Sequence, residues 1–289
     1  MKTTNALPKD AIASIDDPIF TTTYFRDSDD VIVLDGDPAR AYPLRILSYH
    51  GVVNDTVDGR TLTFGVSGKL ADDALVMDDR ETDSEWRQPS GDCLAGRTLT
   101  TLPSTTTTCG EFRAAHPEGV VLEPLPGNSE GGARPSGQAY DMEPYSRYRE
   151  DDEFGLYGMR GDGERRTWDR TDLDAKTLVL GITHDGDAVG YPLPQVEAAG
   201  GVVTDTVGGR DVVVVVGDGE LHAFEDPGTS WTLTDGELTG DGAVWDPRTG
   251  ESDDGRQLHR VPARTLFAFA WQDDHGAGAF YGPNPSSNV

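Results

Sequence analysis

The chain has 289 residues, 36% of them hydrophobic, with 51 Asp plus Glu against 24 Lys plus Arg and a net charge of −27. That length carries one large or two modest domains with real cores. The charge argues against direct binding to nucleic-acid phosphates or anionic lipid.

The first twenty residues contain no continuous apolar core of the signal-peptide kind, and no later run is long enough to span a bilayer. A soluble, cytoplasmic protein is therefore expected. Val31–Leu34 reads as a buried strand, Asp35-Gly36-Asp37-Pro38 as a tight turn and Ala39–Leu44 as the returning strand of a hairpin. A short helix or loop follows at Arg45–Ser48. A turn at Asp58-Gly59 then introduces a strand over Thr61–Phe64. Gly65-Val66-Ser67-Gly68-Lys69 reads as a structural turn. A phosphate loop needs wider glycine spacing and a hydroxyl residue where Leu70 stands, and a nucleophile elbow needs glycine where Lys69 stands.

Ala74–Met77 is expected as a strand and Asp79–Ser84 as a turn whose Asp79 and Thr82 bond their own backbone. Trp86 begins the next extended piece, and Arg97–Leu102 forms another strand ended by Pro103. Thr105–Thr108 caps a short helix over Glu111–Ala115 that His116-Pro117 stops. Val120–Leu122 closes this half. From 123 to 171, glycine, proline, arginine and acids dominate. The tyrosines at 140, 145, 148 and 157 make this segment an irregular, partly packed connector rather than a free linker.

The remainder repeats the first half. Asp185-Gly186-Asp187 matches Asp35-Gly36-Asp37, and Tyr191-Pro192-Leu193 matches Tyr42-Pro43-Leu44. Gly201-Val202-Val203-Thr204-Asp205-Thr206-Val207 matches Gly51-Val52-Val53-Asn54-Asp55-Thr56-Val57. Val212–Val216 is the clearest buried strand. Val261-Pro262 followed by Phe267, Trp271 and His275 mirrors Leu102-Pro103 followed by Thr108, Phe112 and His116. The expected fold is mainly β, with α+β as the alternative. It comprises two divergent internal repeats of β-hairpins, 1–122 and 172–289, with a few short helices, joined by 123–171 and packed as one compact unit.

Several motifs together resemble the family called domain of unknown function 3179. They are Leu7-Pro8-Lys9-Asp10-Ala11-Ile12, Asp37…Ala41-Tyr42-Pro43…His50…Val53-Asn54-Asp55, and Phe64-Gly65-Val66-Ser67-Gly68. With them go Asp79-Arg80-Glu81-Thr82…Ser84…Trp86…Gln88 and His116-Pro117…Val121-Leu122. The resemblance extends to the aromatic segment Phe267–Trp271 and implies membership more than mechanism, since the family is uncharacterised. Members often carry a Cys-Pro-Leu-Cys-like segment before the Phe-Gly-Val-Ser-Gly motif. Here Asn54–Val57 runs almost directly into Asp58–Phe64, so a thiol, metal or redox role of that segment does not transfer. Cys109 stands where relatives often carry tryptophan. Cys93 and Cys109 lack metal-ligand spacing and are expected as buried free thiols, with a disulfide as the alternative.

The acids are spread along the whole chain, which suits a protein in concentrated salt, where the screening length falls to ~3 Å at 1 M. An acidic surface that captures divalent cations is the competing explanation. Candidate binding residues lie in the first half at His50, Asn54, Asp55, Arg80, Glu81, Ser84 and Trp86. No catalytic residue, metal ligand or cofactor is assigned, and the partner is an unknown small molecule or protein. The matching place in the second half is read as Asp246-Pro247-Arg248-Thr249-Gly250, which leaves Glu81, Asp83, Ser84 and Trp86 without counterparts. His50 likewise has none in Ala198–Gly200, whereas His116 and His275 recur and so read as helix-terminus residues. The leading function is a ligand-binding or accessory module. The alternative is a hydrolase-type enzyme with His50 or Glu81 as general base.

Overall fold

Short β-branched and apolar runs, punctuated by Asp and Gly residues that accept left-handed backbone, fold here into antiparallel hairpins. The computed structural model describes residues 3–24, 26–50, 55–57, 60–93, 96–124, 140, 145–161 and 164–282. They form a mainly β structure with short helices. Two compact units are present, one of residues 1–101 and 106–166, the other of 102–105 and 167–289. Among the described residues no helix is long and apolar enough to cross a membrane.

The first unit contains β1 (Thr3–Asn5), β2 (Phe20–Thr21), β3 (Asp30–Leu34), β4 (Arg40–Pro43) and α1 (Leu44–His50). Next come β5 (Asp55–Val57), β6 (Arg60–Leu62), β7 (Phe64–Ala71), β8 (Ala74–Asp79) and β9 (Glu85–Arg87). It ends with β10 (Thr105–Thr108), α2 (Cys109–Ala115), β11 (Val120–Leu122), α3 (Ser146–Glu150) and α4 (Gly155–Arg160). One sheet has the order β10-β3-β4-β11-β2 and another β1-β7-β8-β9. Val31, Ile46, Phe112, Val121 and Tyr140 are buried in a core around the first sheet, and Phe64, Val66, Met77 and Trp86 in a second. Helix α2 opens with a capping box. Thr108 Oγ1 accepts from the Glu111 amide, and Glu111 Oε2 accepts from the Thr108 amide.

Three local expectations change. The Gly65–Lys69 segment is strand, not turn, because Phe64 and Val66 pair with β8 and bury in its core. The departure from ideal strand geometry is confined to a register irregularity between Val66 and Leu70, where Gly68 takes φ +79 beneath the Leu7 carbonyl. Arg97–Leu102 forms no strand, only an isolated bridge from Asp92 to Thr98. Thr105–Thr108 is itself strand β10, with Thr108 as the helix cap. Cys93 and Cys109 are buried free thiols, as expected.

The second unit contains β12 (Leu178–His184), β13 (Asp187–Pro192), α5 (Leu193–Ala198), β14 (Val202–Val207), β15 (Arg210–Gly217) and β16 (Glu220–Glu225). It continues through β17 (Thr232–Thr234), β18 (Glu237–Gly240), β19 (Ala243–Trp245), β20 (Arg264–Phe267) and α6 (Ala268–His275). Its three sheets run β13-β12-β20, β14-β15-β16 and β17-β18-β19. Strand β15 is buried on both faces. Val212 and Val214 enter one core and Val213 and Val215 another, each burial stabilising by roughly 1.5–3 kcal/mol.

Candidate functional site

Strand β8 ends in a carboxylate pair, Asp78-Asp79, and both side chains are buried. Asp79 Oδ1 accepts the Thr82 amide at 2.6 Å, Oδ2 accepts the Trp86 indole N–H at 2.8 Å, and the Thr82 hydroxyl adds a further bond. Burial by itself raises the Asp79 pKa. The Thr82 and Trp86 hydrogen bonds and the Arg97 charge outweigh it, so the carboxyl titrates below its ordinary value. This is the local Asx-type turn expected of Asp79 and Thr82.

Arg97 covers the turn. Its guanidinium lies 4.8 Å from the Trp86 ring centroid and 3.9 Å from Asp79 Oδ2, and Nη2 donates to Thr82 Oγ1 and Ser84 Oγ, both at 3.0 Å. Glu81 is exposed, and its Oε2 accepts the Thr63 amide at 2.6 Å, which holds its pKa below the usual value.

Arg80 reaches back to the N-terminal arm. Nη1 donates to Asp16 Oδ2 at 2.9 Å, Nη2 to Ser14 Oγ at 3.4 Å, and Asp10 Oδ1 lies 3.9 Å away. Lys9 Nζ sits 2.5 Å from Asp78 Oδ2, and this ion-pair contact, ahead of the opposing desolvation, raises the lysine pKa. The same arm engages His50, the last residue of α1. Nδ1–H donates to the Ala13 carbonyl at 2.9 Å, so Nε2 accepts from the Tyr140 hydroxyl at 2.5 Å, and the ring is fully buried. The structure thus gathers Arg80, Glu81, Ser84 and Trp86 on one hairpin and links it through Ala13–Asp16 to His50. Asn54 and the Asp55 side chain lie outside the described residues.

The second unit corrects the expected register. Trp86 pairs with Met77 and forms a bridge with Cys93; Trp245 pairs with Leu238 and forms a bridge with Ser252. The backbone bonds Arg87 N to Asp92 O, Gly91 N to Arg87 O, and Leu99 N to Gly91 O recur as Asp246 N to Glu251 O, Gly250 N to Asp246 O, and Leu258 N to Gly250 O. Arg256 lies 5.0 Å over Trp245, as Arg97 does over Trp86. Trp86 therefore has a counterpart in Trp245, and Asp246 stands opposite Arg87, not Asp79. The real difference lies in what the indole N–H meets: Asp79 in the first unit and the Gly240 carbonyl, at 2.9 Å, in the second.

Lys9, Asp78 and Arg97 are not among the residues expected at the site, and Asp79 is expected there only as a turn former. For Arg97 a usable signal is present in the spacing Trp-x4-Gly-x4-Gly-Arg-x-Leu, which occurs at Trp86–Leu99 and at Trp245–Leu258; Lys9 and Asp78 leave none of that kind. Among the described residues no group of three or more His, Cys, Asp or Glu side chains is arranged to hold a metal ion.

A family model described as "Protein of unknown function (DUF3179)" matches residues 9–63 and 56–278. No curated protein and no solved structure matches the chain.

Proposed function

The chain belongs to the DUF3179 family of proteins of unknown function, and from that premise we propose that it is a cytoplasmic, halophilic ligand-binding or accessory module rather than a hydrolase. One observation carries this reading: both candidate general bases are already engaged by groups of the protein itself, His50 in the core and Glu81 at the surface. His50 has a partner on each ring nitrogen and no exposure, and Glu81 is held ionised by the Thr63 amide with a lowered pKa. A general base works best with a pKa near the operating pH and a lone pair facing substrate; neither residue meets both conditions.

The matching tryptophan frames support reading the two units as divergent copies of one ancestral unit. The copy with the added carboxylate at the indole, and with the arm laid across β7 and β8, is then the one that holds the ligand site. Arg80 and Ser84 remain its proposed contact residues, with Trp86 as the buried support of the hairpin and His50 as the buried anchor of the arm.

A chromogenic panel of esters, phosphoesters and amides, run on the wild type, His50→Gln and Glu81→Gln in molar KCl, tests this reading. No turnover above buffer is expected. Turnover that falls on the order of 100-fold, the size of a lost general base, in either variant would establish the hydrolase instead.

A further inference from the structure

Residues 3–24 form an arm that crosses the first unit from one sheet to the other. Its start lies on β7: Thr3–Asn5 pair with Lys69–Ala71, the Ala6 and Leu7 amides donate to the Gly68 carbonyl, and the Asp10 amide donates to the Val66 carbonyl at 2.8 Å. Further on, Ile15 is buried in the core of the five-stranded sheet, and Phe20–Thr21 pair with β11. Ala13 stands at the crossing, between Ile12, which packs on the other core, and Ile15. There its carbonyl meets the buried ring of His50.

That bond depends on the tautomer of the ring. A neutral imidazole carries one N–H, so Nδ1 donates to the Ala13 carbonyl only while Nε2 is bare. The Tyr140 hydroxyl secures this state by donating to Nε2. Tyr140 is itself buried and fixed: Arg45 Nη2 donates to its carbonyl at 2.8 Å, and its ring meets that of Tyr49 edge-on at 5.4 Å. Arg45 also reaches Asp29, whose Oδ2 lies 3.3 Å from Nε and accepts the Tyr24 hydroxyl at 2.9 Å. Tyr140 is thus tied both to the crossing of the arm and to Tyr24 at its far end. Without the hydroxyl the proton is free to sit on Nε2, and Nδ1 then turns a lone pair toward the Ala13 carbonyl, acceptor against acceptor.

We propose that Tyr140 is a positioning residue that sets the His50 tautomer and through it keeps the arm closed over Arg80. Asp16 and Ser14 of the arm accept from the Arg80 guanidinium at 2.9 and 3.4 Å, so the closed arm occupies donors of a proposed contact residue. Closure is a self-inhibitory contact, released when the hydroxyl leaves Nε2. The part given to Arg80 rests on the binding-module reading; the link from Tyr140 to the arm does not.

The test reads imidazole nitrogen shifts and amide hydrogen exchange by NMR on the full chain, above the pH range in which histidine ordinarily protonates. Wild-type His50 is expected as the Nδ1–H tautomer, and Tyr140→Phe is expected to bring up Nε2–H. In that variant the Ala6, Leu7 and Asp10 amides should exchange roughly 10-fold faster relative to those of β3 and β4. In His50→Asn the side-chain amide donates to Ala13 without a tautomeric choice, so adding Tyr140→Phe should leave the arm's exchange unchanged. Should His50→Asn fail to fold, the two readings on Tyr140→Phe alone still decide. A ring that stays Nδ1–H in Tyr140→Phe, or equal acceleration of the arm in the wild-type and His50→Asn backgrounds, overturns the proposal. Turnover in the hydrolysis panel would remove the part given to Arg80 and leave the exchange result standing, so the two readings fail separately.

Discussion

His222 is buried, and desolvation, followed by the Arg260 charge and helped by that of Arg248, pulls its pKa down to about 4. The folded protein keeps the ring neutral, while the unfolded chain takes up a proton below about pH 6.5. Its contribution to stability is therefore complete above pH 6.5 and is lost as the pH falls toward 4, a span of about 3 kcal/mol. Urea titrations across that window should show the wild type weakening with acid and His222→Gln weakening much less; parallel slopes would discard the assignment. Asp79 acts lower on the scale. Its carboxylate stabilises the fold above about pH 4, the unfolded value, and that support fades as the pH drops through its lowered folded value. Asp79→Ala strands the Trp86 indole N–H in the core, and a loss of about 2–3 kcal/mol is expected by chemical denaturation. Asp79 and Thr82 were legible in the sequence because an Asx turn is local chemistry. The burial of Asp78 and Asp79 was not, because an acidic run reads as a solvated face until an arm some sixty residues earlier is laid over it.

Helix packing on the hairpins shows a volume exchange that only the register reveals. In the first unit Val33 faces Ala41 across β3 and β4, and α2 presents Phe112 to that core. In the second, Gly181 faces Gly190 across β12 and β13, and α6 lays the Trp271 indole against both glycines, its N–H donating to the Ala279 carbonyl at 2.6 Å. Smaller strand residues thus accompany the larger helix residue. Gly181→Ala drives a methyl into the indole and should destabilise by about 1–3 kcal/mol, whereas Trp271→Phe combined with it should recover part of the loss in a double-mutant cycle. Strictly additive losses would mean the glycines and the indole do not share this space. The hairpins themselves were readable from turn residues and β-branched runs, and the α2 cap from Thr108 and Glu111. Strand β7 was misread because Gly65 and Gly68 look like turn punctuation. One leaves room for the Asp10 carboxylate and the other lies beneath the arm's backbone, and neither role leaves a local trace. The helices also explain the recurrent histidines: His116 caps α2 beside Phe112, and His275 ends α6 with its ring 4.0 Å from that of Trp271.

Across the whole chain, a net charge of −27 on 289 residues sets a condition that no single contact removes. Each unit carries some of its arginines in ion pairs, such as Arg80 with Asp16 and Arg256 with Asp241, yet 51 acids face 24 bases, so acids outnumber their possible partners and repel one another. Spread-out repulsion of this kind is relieved by screening, whose length shrinks from about 10 Å at 0.1 M to about 3 Å at 1 M. If the surface is matched to concentrated salt, the urea midpoint should climb steeply between 0.1 and 1 M KCl and flatten above it, once the screening length falls below the spacing of neighbouring charges. Tetramethylammonium chloride should reproduce most of that climb, because screening depends on ionic strength and not on the identity of the cation. Capture of divalent cations gives a different curve: millimolar CaCl2 at 0.1 M KCl would then stabilise as much as molar KCl, and the midpoint would saturate with a defined stoichiometry. The two mechanisms separate in a single pair of titrations, and the even distribution of acids along the chain favours the first.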